Sequence, residues 1–174
     1  MKRLAKVVAG SGVLVLCFGA LAYATGARIN TTRSIPVGLY WTTTKPVELG
    51  AYVVVCPPQK AVFDEAVRRD YLGAGMCPGG YGYMMKRILA AKNDLVSVSS
   101  EGVRVNGDLL PWSVPLDADG AGRPMPRFRI QEHRLSAGEL LLMSDVTAVS
   151  FDGRYYGLVD RSQVVSVIRP VFTW

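Results

Sequence analysis

Histidine is almost missing from this sequence: His133 stands alone in 174 residues. A histidine-based catalytic triad is therefore hard to build, because its base would have to be that one side chain. Gln131-Glu132-His133-Arg134 reads instead as a polar surface segment. Cysteine is scarce too, at three residues, and no pair has the spacing or the histidine partners of a zinc site. A glycine-rich phosphate loop is absent, and Asp117 and Asp119 lack the ligand spacing of a calcium loop. What chemistry remains calls for no metal and no cofactor. Internal repeats, heptads and low-complexity tracts are likewise missing. Nor is there a large charge excess. The formal net charge is +6, of which Lys2, Arg3 and Lys6 supply half. From Arg28 onward 17 basic side chains face 14 acidic ones, too weak a bias for a nucleic-acid partner.

One stretch lacks charge altogether. From Val7 to Ala27 the 21 residues are mostly Val, Leu, Ala, Gly and Phe. As a helix rising ~1.5 Å per residue they would span a hydrocarbon core of roughly 30 Å. Three readings apply. Ala22-Tyr23-Ala24 resembles the cleavage site of a secretory signal. Cys17 could mark a lipoprotein signal, but Leu14-Val15-Leu16 before it lacks the expected small residue. An uncleaved anchor is preferred, because the run is long for a signal core. Its basic N-terminal flank would hold that end in the cytoplasm. The expected organisation is a basic tail and transmembrane anchor over residues 1–27, then one extracytoplasmic domain over 28–174. For a bacterium this means a single-pass inner-membrane protein with its domain in the periplasm and the bilayer as a partner. Cys56 and Cys77, 21 positions apart and each followed by proline, are then free to form a disulfide in an oxidising compartment. Two unrelated buried thiols are the alternative.

The exported part reads mainly as strands. Ala51–Cys56 is rich in β-formers and stops at Pro57-Pro58. Ala61–Leu72 is patterned as a helix, with Gly73 and Gly75 as stops. Tyr83–Ala90 and Asp94–Ser99 are strand candidates, and Asn106-Gly107 predicts a tight type I′ hairpin within Gly102–Leu110. Pro111–Pro126, with four prolines, reads as an exposed excursion. Strands resume at Glu139–Met143 and Gln163–Val171. Arg28–Arg33 reads as a polar connector. The fold class is mainly β with one short helix, preceded by a single transmembrane helix.

Two residues invite a chemical reading. Ser34 precedes Ile35-Pro36, where the proline holds its predecessor extended, and Gly38 permits an unusual turn. Lys86 falls on a strand candidate. Alternation there puts it on one face with Met84, Ile88 and Ala90. Most strand lysines are solvated, but one buried among such neighbours would be driven towards the neutral amine, which can take a proton from a hydroxyl.

Three motifs in order resemble the type I signal peptidase family, and more nearly its plasmid conjugative-transfer branch. Ser34-Ile35-Pro36-Val37-Gly38 is similar to the nucleophile box. Met85-Lys86-Arg87-Ile88-Leu89-Ala90 is similar to the box of the lysine base, and Ser150-Phe151-Asp152-Gly153-Arg154-Tyr155-Tyr156-Gly157 to the C-terminal box. The resemblance covers roughly residues 31 to 170. It implies a β-rich serine endopeptidase with Ser34 as nucleophile and Lys86 as base. It also implies an oxyanion hole from the Ser34 N–H and the Thr32 hydroxyl, a lysine-orienting Ser150, and a supporting Asp152–Arg154 pair. In that branch the substrate is a secreted precursor, plausibly a pilin subunit, and proteins of the conjugation apparatus are possible partners. Ile35 in place of methionine, Met143-Ser144-Asp145 in place of Gly-Asp-Asn, and Lys92-Asn93-Asp94 after the lysine box depart from the general signal peptidases. A general signal peptidase and a non-catalytic scaffold of a secretion apparatus remain the alternatives.

Overall fold

Residues 2–174 are described by this computed structural model. Helix α1 (Lys2–Ala24) buries none of its residues and is long and apolar enough to cross a membrane. The apolar run outlasts it by three residues. Thr25 turns its hydroxyl back onto the carbonyls of Leu21 and Ala22, and Gly26, at φ +116°, leaves the helix. A side chain at Gly26 would collide with Thr42, so glycine lets the end of the helix sit directly on the sheet.

The chain then forms β1 (Ala27–Asn30), β2 (Gly38–Thr43), β3 (Tyr52–Val55), α2 (Ala61–Arg68), β4 (Ala74–Cys77) and β5 (Met84–Ala90). A second group follows: β6 (Leu95–Ser99), β7 (Gly102–Val105), β8 (Asp108–Leu109) and β9 (Ile130–Arg134). The last elements are β10 (Glu139–Met143), a one-turn α3 (Gly153–Tyr156), β11 (Val159–Asp160) and β12 (Val164–Thr173). Seven strands make one sheet in the order β1-β2-β12-β3-β5-β10-β11, and four make another in the order β8-β7-β6-β9. Every pairing is antiparallel.

Patterning explains most of these elements. In β5 every second residue from Met84 to Ala90 is buried, the alternation of a strand with one covered face. Strand β10 instead buries Leu140 to Met143 without interruption. Leu140 and Leu142 join the core under α2, whereas Leu141 and Met143 join the core beneath the second sheet, so β10 is covered on both faces. Asn106 and Gly107 both take positive φ, as a type I′ turn requires, and close the β7–β8 hairpin.

Three expectations are corrected. The connector Arg28–Arg33 begins as β1, whose register places Asn30 opposite Gly38. The helix expected over 61–72 stops at Arg68, because Asp70 takes a left-handed conformation (φ 61°) and carries Tyr71 off the helical path. Gln131–Arg134 lies at the surface as expected, but it belongs to the edge strand β9, whose alternation a register shift against β6 interrupts.

Candidate active site

Ser34 lies in the loop that joins β1 to β2. Its conformation is fixed mainly by Asn30, a 3% exposed side chain at the end of β1. The Asn30 amide donates to the carbonyls of Thr32, Ile35 and Pro36 at 2.7, 2.9 and 3.1 Å. Its Oδ1 accepts from the Thr32 N–H and hydroxyl at 3.2 and 3.0 Å. The Tyr40 hydroxyl donates to the Pro36 carbonyl at 2.6 Å. Ile35, fully buried beside Tyr40, Val54 and Ile168, pins the loop to the sheet; such a burial is worth roughly 1.5–3 kcal/mol. Gly38 ends the loop in close contact with β12: a Cβ there would meet the Phe172 carbonyl at 2.2 Å.

Lys86 projects from the middle of β5 and is 4% exposed. Its Nζ stands 2.7 Å from Ser34 Oγ and 2.9 Å from Ser150 Oγ, and the two hydroxyl oxygens are 3.4 Å apart. Burial lowers its pKa from the ordinary lysine value to about 8; the negative charge of Asp152 works against the shift and Arg154 with it. A buried amine of this kind, partly neutral near neutral pH, is able to accept a hydroxyl proton.

Asp152 and Arg154 are both fully buried. The Asp152 carboxylate accepts from Arg154 Nε and Nη2 at 2.8 and 2.9 Å, and also caps the first turn of α3 through the Arg154 N–H. Arg154 also donates to the carbonyls of Ser150, Ala148 and Trp112 at 2.9, 2.8 and 2.8 Å. The guanidinium thus gathers two chain segments around the site, 112–114 and 148–152, which offsets the cost of burying the charge. Among the described residues, neither Asp152 nor Arg154 hydrogen-bonds to Ser34.

Two clefts flank Ser34. The one of about 220 Å³ includes Lys86, Met84 and Tyr83, and the one of about 320 Å³ includes Ser150, Phe151 and Val149. Thr32 lines both, but its hydroxyl hydrogen is committed to Asn30. The Ser34 N–H has no hydrogen-bond acceptor among the described residues. Ser34, Lys86, Thr32 and Ser150 are therefore brought together, and Asp152 and Arg154 stand behind them. His133 is elsewhere, on β9, bonded to Glu139 at 3.1 Å.

Cys56 and Cys77 form a disulfide that ties the end of β3 to the end of β4. Asn30 is the residue sequence reasoning missed. An asparagine next to threonines reads as loop polarity, and only its register opposite Gly38 reveals that it points into the loop it closes.

The family described as signal peptidase, peptidase S26, matches residues 3–174. A plasmid transfer protein TraF of Escherichia coli is 62% identical over 174 residues, which is all of this chain and 98% of that one. A conjugal transfer protein TraF of Agrobacterium tumefaciens (strain 15955) is 34% identical over 178 residues, covering 99% of this chain and 97% of the other. A signal peptidase I from Enterococcus faecalis V583 shares 14% identity and superposes with a TM-score of 0.42 over 73% of this chain and all of its own, too loosely to carry an argument. The match along nearly the whole length establishes that this chain belongs to the signal peptidase, peptidase S26, family.

Proposed function

We propose that this chain is a membrane-anchored serine endopeptidase with Ser34 as nucleophile and Lys86 as general base. The observation that carries the reading is the 2.7 Å approach of a buried, pKa-lowered amine to the hydroxyl of a family nucleophile box. In the neutral form Lys86 donates to Ser150 and accepts the Ser34 hydroxyl hydrogen. Ser34 Oγ attacks the scissile carbonyl as its proton passes to Nζ, and the ammonium then gives that proton to the departing amine. The Ser34 N–H takes the developing oxyanion. The Thr32 hydroxyl joins it by rotating away from Asn30. Ser150 orients the amine without adding a negative charge beside it. Asp152 and Arg154 hold Ser150 in place through its carbonyl and those of its neighbours.

The substrate class follows from the relatives, which are named as plasmid and conjugal transfer proteins. A secreted precursor of the transfer apparatus, of pilin type, is the reading adopted. Residues 1–27 act as tail and anchor and residues 28–174 as the protease domain. The positive charges of Lys2, Arg3 and Lys6 keep the N-terminus in the cytoplasm and send the domain to the periplasm, where the Cys56–Cys77 disulfide is stable.

Incubation of the full chain with candidate pilin precursors, read by mass spectrometry, tests the proposal. Wild type should produce one defined cleavage. Ser34→Ala and Lys86→Ala should each abolish it, and the double variant should be no worse than either, because the pair acts as a unit. Cleavage by either folded single variant would overturn the dyad, and normal transfer supported by Ser34→Ala would favour a scaffold.

A further inference from the structure

The 320 Å³ cleft beside Ser150 is walled by a segment the dyad does not use. Pro111–Pro126 reads as an exposed excursion in sequence, yet it is strapped down at several points. Arg154 donates to the Trp112 carbonyl, the Tyr155 hydroxyl accepts from the Leu116 N–H at 2.9 Å, and Arg69 donates to the Pro124 carbonyl at 2.7 Å. The Tyr71 hydroxyl donates to Asp119 in the same strap. Leu116 and Met125 from the strap face Val149 and a floor made of Tyr71, Phe151 and Tyr155. Phe151 stacks on Tyr155 at 6.0 Å and tilts against Tyr71 at 5.5 Å.

Arg33, an exposed side chain, and Thr147 also line the cleft, but the polar groups around Leu116, Met125 and the rings are largely engaged. Asp119 accepts from Tyr71, from the N–H groups of Ala121 and Arg123 at 2.9 and 2.8 Å, and from Arg123 Nε at 2.7 Å. The Tyr71 hydroxyl donates to Asp119, and the Tyr155 hydroxyl oxygen accepts from the Leu116 N–H, so both rings hold the strap. Away from Arg33 and the Ser34 side, what the walls offer a ligand is mainly ring faces and aliphatic groups. A large apolar side chain gains by entering, whereas a polar one gives up water without replacement.

Ser34 lines both clefts, Lys86 only the smaller and Ser150 only the larger. A peptide laid across Ser34 runs from one cleft into the other. We infer that the substrate carries a bulky apolar side chain on the side of the scissile bond that enters the strap-walled cleft, and that Leu116 and Met125 determine specificity for it. The position falls within about three residues of the cut, ~10 Å of extended chain. This inference rests on the endopeptidase reading of Ser34 and Lys86.

The test uses the full chain in detergent and a peptide mixture randomised on both sides of a cleaved bond, read by mass spectrometry. Leu, Met, Phe or Tyr should be enriched at one position on one side only. Met125→Trp, which fills the cleft, should lower kcat/KM for the bulky-residue peptide by about tenfold or more, mainly through KM. A matched alanine peptide should be nearly unaffected. Leu116→Ala, at a part-exposed position that does not threaten folding, should shift the preference to larger rings. A flat profile around the cut, or a Met125→Trp loss equal for both peptides, overturns the inference while leaving the endopeptidase reading intact. Fluorescence anisotropy of the same peptides on Ser34→Ala separates the two. If wild type cuts nothing, but Ser34→Ala binds the bulky peptide over the alanine one and Met125→Trp removes the difference, the cleft assignment holds and the endopeptidase reading falls.

Discussion

Two arginine–aspartate pairs lie in this chain under opposite conditions. Asp152–Arg154 is fully buried behind the dyad, whereas Asp117–Arg127 sits on the strap with side chains 94% and 70% exposed. The charges are the same, and the contact distances differ little, 2.8 against 3.2 Å. Their surroundings make them different objects. In water the surface pair gains little from Coulomb attraction and loses side-chain freedom. Behind the dyad, water cannot reach the guanidinium, and every N–H must find a protein acceptor. Arg154 finds the Asp152 carboxylate and the carbonyls of Ser150, Ala148 and Trp112. A buried charge thereby becomes a bracket that fixes loop positions, including that of Ser150.

The sharpest way to break this comparison is to remove the buried guanidinium. Arg154→Met should destabilise the domain by about 3–5 kcal/mol, since it strands the Asp152 carboxylate and several carbonyls in the interior. Urea denaturation measures it, and a loss below ~1 kcal/mol would show that the bracket is ornamental. A neutral bracket is the next case. Asn30→Ala leaves the Thr32 and Ile35 carbonyls without their donor, Pro36 keeping that of Tyr40, and should cost roughly 1–3 kcal/mol. It should also reduce kcat with little change in KM, because the Ser34 loop loses its shape while the clefts persist. Restoration by Asn30→Asp would contradict this, since a carboxylate cannot donate to those carbonyls. The smallest effect belongs to the surface pair. Arg127→Ala should change stability by no more than about 0.5 kcal/mol and leave processing unaltered.

The two brackets also differ in how far the sequence announces them. Ser150, Asp152 and Arg154 stand within five residues, and their pattern is visible in a single line of text. Lys86 is legible for a different reason: strand alternation places it among Met84, Ile88 and Ala90, and the structure buries that face. Strands made of β-formers, and the Asn106-Gly107 hairpin, are local signals of the same kind. What eludes the sequence is settled by distant contacts. Strand β1 is four mixed residues that become a strand only by pairing with β2. Asn30 gains its role from that pairing. Edge strand β9 shows no alternation because its pairing with β6 slips at Glu132, which takes positive φ, and only Ile130 packs against the core. The strap is held by partners 39 to 55 positions away, such as Tyr155 to Leu116 and Arg69 to Pro124. Its prolines and glycines advertise a loop but not the wall it forms.

The central claim is that burial turns Lys86 into a base, and the pH dependence of kcat/KM tests it most directly. A solvated lysine stays protonated until about pH 10.4 and is useless as a base near neutrality. Burial lowers Lys86 to about 8. On the proposed mechanism protonated Lys86 is inactive and the neutral form active, so kcat/KM should rise with pH and level off above that value. The measurement uses a soluble precursor peptide with wild type and Lys86→His over a pH range in which both stay folded. The account predicts a wild-type activating ionisation near 8 that is lost or moved in Lys86→His. An activating ionisation at the ordinary lysine value, or an unchanged profile in Lys86→His, would contradict it.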